Sequence, residues 1–234
     1  VVQPAAPESS VERFDARRRE ILLSASRAYR ERGFHATGMR EIAQAAGMTA
    51  GNLYHYFAGK EALLAFCQEE SARRLNELAA WVEAQPLRAD ARLHALIVGH
   101  VLVLNEGLPG SLAHLEVESL EGEGRRRVVE LRDRYEEALR AILREGMGAG
   151  VLRRADLKLT ALAILGAINW TVKWFRPGGK SSAREVGEHF AEQLVRGLLA
   201  PEVELMRPAG EVPIFGSAAR REDEAADAAT TRTR

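Results

Sequence analysis

The 234-residue sequence predicts an all-α protein, and three observations carry that expectation. Apolar residues recur three and four positions apart through most of the chain, the period of a helix with one buried face. No stretch alternates apolar and polar residues with period two, so no sheet is expected. Alanine and leucine recur throughout while aromatics make up only 6%, a mixture that favours helix over strand. With 46% hydrophobic and 28% charged residues, the chain has the composition of an ordinary globular protein with one large domain or two small ones.

The elements follow in order. Residues 1–13 mix Pro, Ala, Ser and charge and read as a disordered arm. Arg17 to Glu31 places Ile21, Ala25, Ala28 and Tyr29 on one face, and Gly33 ends that helix as a C-terminal glycine does. Thr37 or Gly38 starts a short helix carrying Ile42 and Ala43, which stops at Gly47; Thr49 then caps another short helix with Leu53, Tyr54 and Phe57. A longer helix is expected from Gly59 to about Ala84, ended by Pro86, and another from Asp90 to Asn105. Gly107, Pro109 and Gly110 break the chain before a short segment, Ser111 to Leu120. Glu123 to Met147 is a long charged helix with acid–base pairs such as Glu130 and Arg134. Asp156 caps an apolar helix expected to reach Phe175, where Pro177-Gly178-Gly179 stops it. Ser182 to Leu199 is the last helix, and 201–234 reads as a mostly disordered tail.

Net charge is zero, but its distribution is uneven. Residues 1–60 carry nine Lys/Arg against six Asp/Glu, while 61–200 carry 19 against 20 and 201–234 carry five against seven. A basic excess at one end is compatible with a polyanionic partner, and equally with solvated helix faces. A single cysteine, Cys67, excludes an internal disulfide framework and a cysteine-rich zinc site, and its apolar stripe makes it a small core residue. No histidines pair at metal-ligand spacing, so neither metal nor cofactor is expected. No apolar run approaches the roughly 20 residues that span a bilayer, and Val1 to Ser10 lack the features of a signal peptide. A cytoplasmic setting is therefore the expectation. No nucleophile elbow, His-Glu-x-x-His, phosphate loop or apolar carboxylate pair is present, so the expectation is also that the chain is not an enzyme.

The informative stretch is 37–57. Two short helices joined at Gly47, supported by a longer helix before them, have helix-turn-helix geometry. Thr49, Ala50, Gly51 and Asn52 open the second short helix, where free N–H groups and small residues let backbone approach a phosphate or a groove. The run Glu31-Arg32-Gly33-Phe34-His35-Ala36-Thr37, then Met39-Arg40-Glu41-Ile42-Ala43, then Ala46-Gly47-Met48-Thr49-Ala50-Gly51-Asn52-Leu53-Tyr54-His55-Tyr56-Phe57 and Lys60-Glu61 resembles the TetR family of transcription regulators over about 50 residues without a gap. The resemblance implies a three-helix DNA-binding head at 14–74 (motif 37–56), a helical ligand-binding and dimerisation body at 75–200, and a homodimer on double-stranded palindromic operator DNA, acting as a repressor. It places Thr49, Ala50, Gly51, Asn52, Tyr54 and His55 at base and phosphate contacts. Lys60 falls at a phosphate beside the next helix, and Thr37 and Arg40 where the first short helix meets the DNA backbone. Ala50 stands where many relatives carry a long polar residue, and Gly38 where a hydroxyl residue is common, which weakens a capping box with Glu41.

In the body, Gly166, Trp170 and Trp174 recur every four residues and would form one helical stripe, a slot walled by indoles or a packing surface between subunits. The stretch 166–179, with the charged helix before it, resembles TetR-type regulators that sense acyl-CoA thioesters of lipid, steroid or aromatic-acid breakdown. Such an effector is expected beside Asn169, Trp170 and Trp174, with Lys173, Arg176 and the cluster Arg125, Arg126 and Arg127 as candidate cations for its diphosphate. His94, His100 and His114 read as partly buried helix residues, His94 being retained as a candidate contact. An efflux or stress regulator sensing another apolar molecule, and a ligand-independent architectural DNA binder, are the competing readings. The latter leaves about 140 residues of apolar helix without a purpose.

Overall fold

The computed structural model describes residues 10–107 and 117–215. Helix α1 spans Ser10–Arg32, starting earlier than the apolar pattern indicated, and ends on Gly33 at φ +82°, a conformation that favours glycine. Helices α2 (Met39–Ala45) and α3 (Ala50–Tyr56) flank a tight turn in which Gly47 takes φ +65°. Helix α4 (Lys60–Glu83) follows, then α5 (Ala89–Leu102), which passes into one turn of π-helix, Val103–Gly107. The expected segment 111–120 lies largely outside the described residues, as does His114. Helix α6 covers Gly122–Gly148, α7 Leu157–Asn169, α8 Thr171–Trp174 and α9 Ala183–Arg196. The described residues contain no strand, only an isolated bridge between Leu152 and Leu199.

The side chains that set these boundaries act locally. Thr49 Oγ1 accepts from Asn52 N–H, Asp156 Oδ1 from Leu159 N–H, and Ser182 forms a reciprocal capping box with Glu185. At Gly38 half of such a box survives, because Glu41 still accepts from the Gly38 N–H at 3.0 Å.

Two expectations need correction. The apolar helix does not run unbroken to Phe175; it is interrupted at Trp170. The buried Thr171 hydroxyl donates to Ile168 O at 2.7 Å and accepts from Asn105 Nδ2 at 2.9 Å, which ties this point to the π-turn. Residues 201–215 also depart from a disordered tail. Val212 and Phe215 are buried in the body core, Met206 N–H donates to Asp90 at 2.7 Å, and Arg88 holds both Asp90 and the Glu204 carbonyl.

Two apolar cores result. The head core gathers Ile21, Tyr29, Ile42, Leu53 and Phe57 with Leu63 and Leu64 of α4. The body core packs α5 against α4, α6, α7 and α9 around Leu78, Leu93, Ile97, Leu139 and Ile164. Helices α4 and α6 belong to both: Val128 of α6 closes the head core, with Leu120 just before the helix, and Leu75 and Leu78 of α4 and Tyr135 and Leu139 of α6 enter the body core. No helix among the described residues is long and apolar enough to cross a membrane.

Candidate nucleic-acid interface and ligand cavity

In the head, burial of Leu53 and Phe57 fixes which face of α3 turns outward. Thr49, Gly51, Asn52, Tyr54 and His55 are all exposed, with Tyr54 at 53%. Tyr56 is half-buried and stacks on Phe14 of α1 at 5.0 Å, with His55 edge-on to Phe14 at 6.1 Å, so the start of α1 is packed against the outward helix. Arg40 is exposed on α2. Lys60 opens α4 with its ammonium 4.2 Å over the Phe34 ring and donating to His35 O at 3.4 Å; its partial burial lowers its pKa from the ordinary value. A row of small and polar side chains along one exposed face, at the N-terminal end of a supported short helix, is the shape that enters a major groove.

The head is joined to the body along α6. Glu61 accepts from the Glu121 N–H at 3.0 Å, Arg127 pairs with Glu69 at 2.8 Å, and Gly124 sits so close to Ala65 that an added Cβ would lie 3.0 Å from it. Two turns further on, α6 forms the wall of a cavity of about 350 Å³ between α4, α5, α6 and α7. This volume lies at the low end of the roughly 300–1,000 Å³ of small-molecule sites. Its apolar lining comes from Ala72, Leu75, Leu162, Leu165 and Gly166. Its polar lining is His100, Arg132, Tyr135, Glu136 and Asn169. His100 Nδ1 lies 3.0 Å from the Tyr135 hydroxyl and its Nε2 3.0 Å from Asn169 Oδ1. Burial pulls the His100 pKa down to about 4, only partly offset by Asn169, so the ring is neutral at neutral pH. Burial likewise raises the Tyr135 phenol and lowers Arg132 to about 10.

Residues 21–66 match the family described as bacterial regulatory proteins, tetR family, and 86–198 match the tetracyclin repressor-like C-terminal domain. The HTH-type transcriptional repressor KstR2 of Rhodococcus jostii (strain RHA1) is 30% identical over 79% of this chain and 92% of its own length. The chain belongs to the TetR family. Among solved structures, the TetR regulator PfmR from Thermus thermophilus is 33% identical with a TM-score of 0.69, covering 75% of this chain and 97% of that one. AibR, solved in complex with isovaleryl coenzyme A and operator DNA, is 28% identical with a TM-score of 0.67, covering 79% of this chain and 99% of that one.

Against this TetR-family frame the expected contacts divide. Arg40, Thr49, Gly51, Asn52, Tyr54 and His55 are exposed on the head, and Lys60 is half-buried beside Phe34 and His35. Thr37 does not present its hydroxyl: it is fully buried, donating to Gly33 O at 2.8 Å, and so ties the α1–α2 loop together. Ala50 is half-buried against the head core, which leaves little of its methyl for a base.

Of the six expected effector contacts, only Asn169 lies on the cavity wall. Neither indole of the expected slot lies on the cavity wall. Trp170 is 59% exposed, and Trp174 stacks on Phe190 at 6.1 Å. Arg176 donates to the carbonyls of Lys173 and Phe175, at the end of α8, and Lys173 is exposed. His94 is buried between α5 and α9, 3.4 Å from Glu188, and desolvation lowers its pKa. Arg126 and Arg127 pair with Glu123, Glu130 and Glu69. Sequence reasoning missed Tyr135 and passed over His100 as a packed histidine. The available signal was a polar residue inside an apolar stripe on each of two facing helices. Cys67 is the inert core residue expected, its thiol pushed up to about 12 by burial.

Proposed function

We propose that the chain is a ligand-responsive repressor that binds a palindromic operator as a homodimer and is released when an acyl-CoA thioester fills the cavity. One observation carries this reading: α4 and α6, which build the cavity wall through Ala72, Leu75, Arg132 and Tyr135, also build the head core through Leu63, Leu64 and Val128. From Val128 to Tyr135 is seven residues, about 10 Å along a helix. A ligand that moves Tyr135 or Leu75 therefore moves rigid rods whose other ends hold α1–α3. Two recognition helices on a palindrome must sit about one helical turn apart, roughly 34 Å. A small rotation of each head spoils that spacing.

The relatives support the direction of this reading: KstR2 is a transcriptional repressor, and AibR takes both isovaleryl coenzyme A and operator DNA. The homodimer is supported by an apolar face on α7 and α8 that leaves Leu159, Leu162, Trp170 and Trp174 exposed. It continues into a groove of about 410 Å³ between α7 and α9, lined by Ala163, Ile164, Leu194 and Leu198. A second copy of α7 and α9 would cover it.

The test begins with sequencing the DNA captured by the purified protein, which supplies the operator. Its affinity is then measured with and without acyl-CoA thioesters. A coupling free energy of about 1–3 kcal/mol corresponds to roughly 5- to 150-fold weaker binding. An operator affinity untouched by every thioester would contradict the proposal.

A further inference from the structure

With the Asn169 amide oxygen turned toward His100, the hydrogen bonds of three side chains at the polar end of the cavity run in one direction. Asn169 Oδ1 can only accept, so His100 Nε2, 3.0 Å away, carries the ring hydrogen. His100 Nδ1 must then accept from the Tyr135 hydroxyl, also at 3.0 Å. Both ring nitrogens and the phenol hydrogen are thereby used within the relay. The Asn169 amide nitrogen is left over as a donor, with no acceptor among the described residues. The relay is also uncharged, since burial keeps His100 unprotonated and Tyr135 un-ionised at neutral pH.

The rest of the wall adds no net charge. Arg132 and Glu136 contribute one charge of each sign, Arg132 donating to Gln68 Oε1 at 3.2 Å and Glu136 pairing with Arg140. Leu75, Leu162 and Leu165 make the remainder apolar. A neutral donor in such a wall fits a neutral acceptor oxygen. An ionised carboxylate would lose its hydration there in exchange for a hydrogen bond from an uncharged amide.

We propose that Asn169, held in place by His100 and Tyr135, reads the carbonyl oxygen of the effector, so that the cavity selects an acyl thioester over the corresponding free acid. This rests on the cavity being the effector site. At about 350 Å³ it holds an acyl group and its carbonyl, with the rest of a coenzyme A ester outside the mouth. His100 and Tyr135 are positioning residues in this scheme: they fix which way the Asn169 amide faces.

The experiment measures binding of a panel of straight and branched short-chain acyl-CoA thioesters, their free acids and coenzyme A itself to the wild-type protein and to Asn169→Asp. The aspartate keeps an acceptor for His100 and loses the donor. At least one thioester should bind the wild type about tenfold or more tightly than its acid or coenzyme A, and Asn169→Asp should lose about tenfold for that thioester, the worth of one buried hydrogen bond. In parallel, the infrared stretch of an isotope-labelled thioester carbonyl should shift to lower frequency on binding the wild type, a readout that does not depend on the variant folding. A thioester that binds both proteins equally, or binds with no carbonyl shift, overturns the inference while the effector reading stands. A free acid that binds more tightly than its thioester overturns it too, and points to Arg132. If nothing in the panel binds the wild type, the effector reading falls and takes this inference with it.

Discussion

Replacing His100 by glutamine should flatten the pH dependence of stability. The imidazole, 1% exposed, has its pKa pulled from 6.5 to about 4 by burial, while the unfolded chain keeps the ordinary value. As pH falls the unfolded chain therefore takes up the proton first. The stabilisation is fully present above about pH 6.5, is lost progressively between about 6.5 and 4, and does not change further below that. At 1.36 kcal/mol per unit, the loss across that window is about 3 kcal/mol. Urea unfolding of wild type and His100→Gln, at one fixed protomer concentration and in pH steps from about 7.5 to 4, measures it. The variant is less stable throughout, but the wild-type value should drop by about 3 kcal/mol more than the variant's over the window. His94, whose pKa is also lowered by burial, and the depressed carboxylates Asp90 and Glu70 titrate in both proteins and cancel in the difference. Parallel curves would mean that folded His100 takes up its proton as easily as the unfolded residue, and the neutral relay would be wrong.

Outcomes for four further variants are expected. Lys60→Ala should weaken DNA binding alike for all sequences and reduce the salt slope by about 1, whereas Asn52→Ala should blur preference at one base position at a cost of about 1–3 kcal/mol per half-site. Quantitative binding to an operator and its single-base variants separates the two, and identical losses would remove Asn52 from the groove. Gly187→Ala should destabilise by about 1–2 kcal/mol despite its better helix propensity, because the added Cβ would lie 3.2 Å from both Cα and O of Val98, backbone atoms that cannot rotate away. An unchanged urea midpoint would show that α5 and α9 are not packed this closely. Leu162→Glu puts a charge on the exposed apolar face of α7 and should shift the protein to monomer in sedimentation, while a dimer as tight as the wild type would exclude that face from the interface.

Much of the head was legible because its signals are local. Gly33, Gly47 and Thr49 each act on backbone within a few residues, so the spacing of α1, α2 and α3 could be read from sequence alone. The caps of α7 and α9, Asp156 and Ser182, were legible for the same reason. The cavity was not. His100 meets Tyr135 and Asn169 across 35 and 69 positions, and only the packing of α5, α6 and α7 brings them together. The interruption at Trp170 adjoins a hydrogen bond between Asn105 and Thr171, 66 positions apart, which an apolar run reading as one continuous helix does not announce, and the indoles lie at the surface. The family resemblance placed Thr37 at the DNA backbone. Its hydroxyl is taken by the Gly33 carbonyl, which no pattern of side chains announces. Val212 and Phe215 gave no periodicity, since they anchor an irregular segment.

The central claim is that one pair of helices links an occupied cavity to the spacing of the DNA-reading heads. The most direct measurement is operator affinity titrated with an acyl-CoA thioester, in the wild type and in Leu75→Trp, which fills the cavity from α4 without a ligand. The account predicts that the thioester weakens wild-type binding by roughly 5- to 150-fold, and that the filled cavity mimics it and no longer responds. Wild-type operator binding that stays constant while the same thioester demonstrably occupies the cavity would contradict it.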